Sequence, residues 1–273
     1  MSSLYDHPVY YDVLFSASWA AELRFLEGCF ERYLRGKARR LFEPACGTGR
    51  LLWRLGKRGY AVYGLDLNKR ALDYCNRRLV KHALPPTALY GDMAAFDRAV
   101  FDQAVFDQAG CARRPFQPFC AAFNLVSSFC HLLTEREAAA HLDRVADCLR
   151  SGGLYIIGFH LVPDGRAECD KEHWTACRGL LRLTSDLRIV SRDRKTRLEK
   201  VEFHIKAETP NRTETFCDTF PMRFYTAAQF ESLLARVDRF VVVNTFTFRF
   251  DLDDPVAVDT KTEDVVYVLR KKS

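Results

Sequence analysis

The sequence predicts an α/β fold: a parallel sheet doubly wound with helices on both faces, followed by an inserted antiparallel β-meander. Three observations lead there. Apolar, strand-like runs alternate with amphipathic helical stretches between residues 39 and 161. A glycine turn, Glu43 to Arg50 (EPACGTGR), joins the first run to the helix after it. Beyond residue 179 the periodicity drops to two over three segments separated by turn residues.

The elements follow in order. Residues 1–17 are aromatic-rich, with Tyr5, Tyr10, Tyr11 and Phe15. A helix from about Ser18 to Leu34 carries Leu23, Leu26, Phe30 and Leu34 on one face, with Ser18 as its cap. The first strand covers about Arg39 to Ala45, and the helix behind the glycine turn runs to Lys57. Ala61 to Leu67 is the second strand, with Asp66 at its end. Asn68 caps a helix to about His82, which Pro85-Pro86 stops. Thr87 to Tyr90 is a short third strand before Gly91-Asp92-Met93.

Phe96 to Gly110 is a tandem repeat, FDRAV, FDQAV, FDQAG. Three short copies cannot bury a solenoid face, so the repeat reads as a lengthened surface connection. Ala121 to Val126 is the fourth strand and leads into Ser127 to His131. Thr134 and Glu137 form a capping box for a helix with Ala138, Leu142, Val145 and Leu149 on its face. Leu154 to Leu161 is apolar throughout, as a buried parallel strand is. The meander of residues 179–225 begins just beyond that strand's C-terminal end, where ligands bind in an open α/β sheet, so it is expected to cover the site. A helix from Thr226 to Val237 and a hairpin, Phe240 to Phe248 with Asp264 to Arg270, close the chain. The expected organisation is one domain over 1–273, with a helical cap at 1–37 and an inserted meander at 174–226.

Composition narrows the function. The 273 residues are 48% hydrophobic and 28% charged, enough for one large domain. The net charge of +6 comes from acids and bases interspersed along the chain, so no nucleic-acid stripe is expected. Ten cysteines show no repeated spacing and no C-x-x-C, which argues against a metal or disulfide framework and for reduced thiols in the cytoplasm. No stretch approaches the ~18 apolar residues of a membrane span. In the glycine turn, Leu52 stands where a dinucleotide loop has its third glycine. Glu43 at the strand end suits a positively charged or amine-bearing ligand.

The E-x-x-C-G-T-G loop (Glu43 to Gly49), the acid at Asp66 and Gly91-Asp92-Met93, in that order, resemble class I S-adenosylmethionine-dependent methyltransferases over nearly the whole chain. The segments Ser127-Ser128-Phe129-Cys130-His131-Leu132 and Phe224-Tyr225-Thr226, with Phe230, are similar to those of the amino-sugar N,N-dimethyltransferases of macrolide antibiotic pathways. The five-residue repeat and Ala45-Cys46 depart from that pattern. The resemblance implies a Rossmann-like, seven-stranded sheet whose antiparallel last strand comes from the final hairpin.

It also implies S-adenosyl-L-methionine as cofactor, leaving S-adenosyl-L-homocysteine, and assigns roles to residues. Asp66, with Leu67 beside it, takes the ribose hydroxyls. Gly91 and Asp92 reach the adenine amino group, and Met93 packs on the ring. Glu43, Ala45, Cys46, Gly47 and Gly49 line the methionine part, and Asn124 and Leu125 contact its amino-acid end. Tyr11, or its neighbours Tyr5 or Tyr10, folds over the sulfonium, which an aromatic face attracts. His131 holds or removes the proton of a small-molecule acceptor, most simply an amine. No metal, nucleic acid or membrane is implied; an edge strand of the meander offers a homodimer contact. The alternatives are a catalytically silent S-adenosylmethionine-binding protein and a nucleic-acid methyltransferase.

Overall fold

The computed structural model describes residues 4–101, 116–163 and 171–273. Seven strands form one sheet in the order β10-β11-β5-β4-β1-β2-β3. They are β1 (Arg40–Pro44), β2 (Ala61–Asp66), β3 (Ala88–Tyr90), β4 (Phe119–Asn124), β5 (Leu149–His160), β10 (Phe240–Phe246) and β11 (Asp264–Lys271). β1 to β5 pair in parallel, and β11 runs antiparallel to both β5 and β10. The expected seven-stranded sheet with an antiparallel last strand is therefore present.

Helices cover both faces. α2 (Trp19–Tyr33), α3 (Leu52–Lys57) and α4 (Lys69–Lys81) pack on one, burying Leu26, Leu55 and Leu79 against Leu41, Val62 and Phe123. α5 (Glu135–Cys148) and α6 (Ala227–Val237) pack on the other, burying Leu142, Val145 and Phe230 against Phe42, Tyr155 and Tyr267. The caps follow the sequence in part. The Asn68 side chain accepts from the N–H groups of Arg70 and Ala71, and Thr134 with Glu137 makes the expected box. Ser18 precedes α2 but makes no side-chain cap.

A second, four-stranded antiparallel sheet lies beyond the first. It comprises β6 (Lys171–Arg178), β7 (Leu181–Asp193), β8 (Leu198–Thr209) and β9 (Arg212–Arg223). The expected meander had three strands; β6 is the addition, joined to β7 by a tight turn at Gly179, whose φ of +59° suits glycine. Its inner face packs on the N-terminal helix α1 (Pro8–Phe15), with Val13 and Leu14 against Leu183, Phe203 and Ile205. Glu135 on α5 ties this sheet down through Arg197 and Arg223, and holds α6 through Arg236.

The five-residue repeat needs a correction where it is described. Phe96 and Phe101 are not on a surface connection: they are 5% and 1% exposed and pack on Phe42 and Phe119. The phenylalanines opening the first two units carry the connection into the core. The remaining units lie outside the described residues.

Candidate active site

The two sheets and α1 enclose a cavity of about 1240 Å³ at the C-terminal ends of β1, β2 and β4. A site for one drug-sized ligand measures about 300–1,000 Å³, so this one has room for two.

Its floor is the glycine turn. After β1 the backbone enters left-handed conformations at Ala45, Gly47 and Gly49, with φ of 53°, 51° and 63°. At Ala45, which has a Cβ, that geometry costs about 1–2 kcal/mol, a strain of the kind retained at ligand-binding turns. At Gly47 it is the φ that calls for glycine; a Cβ there would meet the Tyr11 ring at 3.4 Å, an ordinary contact. The Gly47 N–H donates to Asp66 Oδ2 at 2.7 Å and the Asn68 N–H to Oδ1 at 2.8 Å. Each carboxylate oxygen keeps a second lone pair for a ligand hydroxyl. Burial raises the Asp66 pKa, and the N–H groups of Asn68, Gly47 and Leu67 pull it back.

Beneath the turn lies Glu43, 7% exposed, whose Oε2 has no hydrogen-bond partner among the described residues. Burial lifts its pKa well above the carboxylate range, with only Arg50 opposing. Arg50 itself pairs with Glu22 at 2.5 Å. Burial thus favours the neutral, protonated carboxyl at Glu43, which calls for no charged partner.

The opposite wall is aromatic. Tyr5 Oη and His131 Nε2 are hydrogen-bonded at 3.2 Å, and the Tyr5 and Tyr11 ring centroids are 5.9 Å apart. Phe220 of the roof packs on His131 at 5.6 Å between centroids. Desolvation lowers the His131 pKa below the usual imidazole range, so the ring is neutral at pH 7. The roof adds Trp174, Val201 and Phe203, together with Glu199 paired to Arg192 at 3.0 Å.

Of the residues singled out from sequence, Tyr11, Ala45, Gly47, Asp66, Leu67, Gly91, Met93 and His131 line the cavity. Six do not. Glu43 and Cys46 are buried below the turn, and Gly49 packs on Cys75. Asp92 accepts from the Ala94 N–H at 2.8 Å, closing its own turn. Asn124 and Leu125 are 3% and 4% exposed, and the Asn124 amide donates to Pro44 O at 2.8 Å. Asn124 is the last residue of β4 and still holds the sheet together; Val126 and Ser127 reach the cavity instead. Ser127 does so with a left-handed φ of 49°.

The three N-terminal tyrosines point in different directions. Tyr5 and Tyr11 face the cavity, while Tyr10 turns to Glu214 and Phe216.

Two supporting residues had no sequence signal. Asp12, 1% exposed, accepts from Thr48 Oγ1 at 3.0 Å, Arg78 at 2.5 Å and Arg178 at 2.6 Å. It joins α1, the glycine turn, α4 and the roof at one point. His141, fully buried, donates from Nδ1 to Met93 O at 2.9 Å and accepts from Tyr155 Oη at 2.7 Å.

Comparisons with known proteins agree with this architecture. Residues 42–120 match the family described as "Methyltransferase domain". A protein of Geobacillus sp. (strain WCH70) that carries a provisional methyltransferase name is 26% identical over 156 residues. That alignment spans about half of each chain, 55% in both cases. Among solved structures, an S-adenosylmethionine-dependent methyltransferase from Clostridium acetobutylicum superposes with a TM-score of 0.72 at 15% identity, covering 96% of both chains. The sugar N-methyltransferase KedS8 from Streptoalloteichus sp. gives a TM-score of 0.70 at 19% identity, covering 100% of this chain and 94% of its own. Residues 42–120 thus match a methyltransferase domain, and the chain has the fold seen in solved S-adenosylmethionine-dependent methyltransferases.

Proposed function

We propose that the protein transfers a methyl group from S-adenosyl-L-methionine to a small molecule, at an amine nitrogen of a sugar or sugar-like acceptor. The observation that carries this reading is the neutral His131–Tyr5 pair facing, across one cavity, the turn that presents Gly47 and Asp66. The residues present fit the cofactor. Asp66 offers carboxylate lone pairs to a ribose, and Leu52 in place of a third glycine suits a ligand without pyrophosphate. Met93 and Leu67 supply apolar contact for an adenine ring.

When bound, the cofactor supplies an already activated methyl group. The chain's task is then to position, to exclude water and to manage one proton. Tyr11 over Gly47 offers an aromatic face to a sulfonium. Phe220, Val201 and Phe203 exclude water from the roof side. His131, held by Tyr5, takes the proton that an ammonium must lose before its nitrogen has a lone pair to attack with. The resemblance to sugar N-methyltransferases supports nitrogen and a sugar-like acceptor.

Calorimetry with S-adenosyl-L-homocysteine, followed by turnover on a panel of amino sugars, tests this. Asp66→Ala is expected to abolish binding, and His131→Ala to keep binding while lowering kcat about 10²–10⁴-fold. Absence of binding by the parent protein overturns the cofactor assignment. Full activity of His131→Ala overturns the role of the histidine.

A further inference from the structure

The outer face of the roof sheet, turned away from the cavity, carries a row of metal-ligand side chains. His173 is registered opposite Asp186, Asp186 opposite His204, and His204 opposite Cys217. Residues directly opposite in antiparallel strands share a face, so the row crosses all four strands. Glu202, two residues before His204, lies on the same face. His204 Nε2 is 2.5 Å from Glu202 Oε1 and 3.6 Å from Cys217 Sγ. One donor atom from each of Glu202, His204 and Cys217 lies within 4.8 Å of the others. We propose that these three residues bind a divalent transition-metal ion of the zinc type, with water as the fourth ligand.

The chemistry and the distances agree. Thiolate, imidazole and carboxylate together form a zinc-type ligand set, and an oxygen-seeking ion such as magnesium would not select a thiolate. Tetrahedral zinc, with Zn–N of about 2.0–2.1 Å and Zn–S of about 2.3 Å, places nitrogen and sulfur about 3.6 Å apart. The separation here is 3.6 Å. The same ring nitrogen faces both other ligands, so a single ion reaches all three. Only the carboxylate has to move: its 2.5 Å hydrogen bond to Nε2 opens to about 3.3 Å around a zinc ion. Arg188 also holds Glu202 through Oε1, at 2.5 and 2.9 Å, and so keeps the carboxylate beside the ring. The His204 side chain is 49% exposed and Cys217 is exposed, so an ion has open access.

On binding, the Cys217 S–H bond breaks, its proton goes to solvent and an S–metal bond forms. The Nε2 proton that His204 shares with Glu202 also leaves, the neutral ring carrying its proton on Nδ1 instead, so that the Nε2 lone pair forms the N–metal bond. One proton is released in net, and affinity rises with pH. The ion would clip β8 to β9. No spacing along the chain announces this site, because its ligands meet across a strand pair 13 residues apart in sequence.

The test is titration of the tag-free, chelator-stripped full chain with Co²⁺, then Zn²⁺. The expected result is one ion per chain, a thiolate-to-cobalt charge-transfer band, and its loss when zinc displaces cobalt. Cys217→Ser removes the band; His204→Ala and Glu202→Gln each weaken binding at least about 10-fold. Cys177→Ser, at another exposed thiol, leaves it unchanged. Circular dichroism of each variant checks that the fold is intact. The proposal is overturned if the parent shows no thiolate band, if the band survives Cys217→Ser, or if His204→Ala binds cobalt as tightly as the parent.

Discussion

Replacing Asp12 by alanine tests whether the closed site depends on one buried carboxylate. Asp12 is 1% exposed and accepts from Arg78, Arg178 and Thr48. Removing one partner of a buried ion pair costs about 3–5 kcal/mol, because the remaining charge is stranded. Here the lower end applies. Arg78 keeps Tyr74 Oη at 2.9 Å and Thr48 O at 3.4 Å, and the Arg178 side chain is 45% exposed and finds water. About 3 kcal/mol is therefore expected, which lowers Tm by roughly 6 °C in a chain of this size. Thr48 also loses its acceptor, worth about 1 kcal/mol, so affinity for S-adenosyl-L-homocysteine falls about fivefold.

The pH dependence gives a second readout. Burial alone would raise the Asp12 pKa, but the hydrogen bonds and charges of Arg78 and Arg178 outweigh it and hold the group below the usual range. A depressed carboxylate stabilises the fold above its unfolded pKa, about 3.9, and that contribution is lost as pH falls through the folded value. The gap between parent and Asp12→Ala therefore narrows below about pH 4. Thermal unfolding by circular dichroism across pH 3–8 measures it, with Arg178→Ala as a control expected to cost no more than about 1 kcal/mol. A Tm for Asp12→Ala within about 1 °C of the parent at pH 7 refutes the reasoning.

The pKa of His131 lies below the usual imidazole range, so kcat/KM is expected to hold from about pH 8 to 6.5 and to fall only at lower pH. A rate that already falls between pH 8 and 7 contradicts a neutral ring. Burial lowers the His141 pKa to about 4. The unfolded chain, with its histidine near 6.5, then binds more protons between pH 6.5 and 4, so stability drops by roughly 3 kcal/mol over that window. Urea unfolding of the parent and of His141→Phe, which lacks the ionisation, checks this; equal slopes against pH count against it. Gly49→Ala combines a φ of 63° with a Cβ 2.2 Å from Cys75 Sγ, and is expected to cost about 2–5 kcal/mol in urea unfolding.

Much of the scaffold was legible because it is written locally. The strand before Glu43, the glycines at 47 and 49 and the acid at Asp66 each follow from neighbours in sequence, and they meet because parallel strands end at one edge. The N-terminal tyrosines were not separable in this way. Tyr5, Tyr10 and Tyr11 are close in sequence, and only their packing against Phe220, Phe216 and Gly47 respectively gives them different roles. β6 escaped because its sequence, KEHWTACR, has few apolar positions, with only Trp174 and Ala176 packed on the inner cluster. The resemblance placed Asn124 in the site by its position near the end of the fourth strand, yet its amide is spent on Pro44, and the cavity begins two residues later. Asp12 and His141 gave no pattern, since their partners lie 36 to 166 and 14 to 48 residues away.

The position of α1 has a consequence for synthesis. Residues 4–15 are made before the strands they dock on. Leu4 N–H donates to Asp218, Tyr10 to Glu214, and Asp12 accepts from Arg178, all on strands of the roof sheet. The seven-stranded sheet can begin to assemble while residues 4–15 still lack these partners. The closed cavity then arrives as a late event, when the roof captures residues 4–15 and carries Tyr5 to His131.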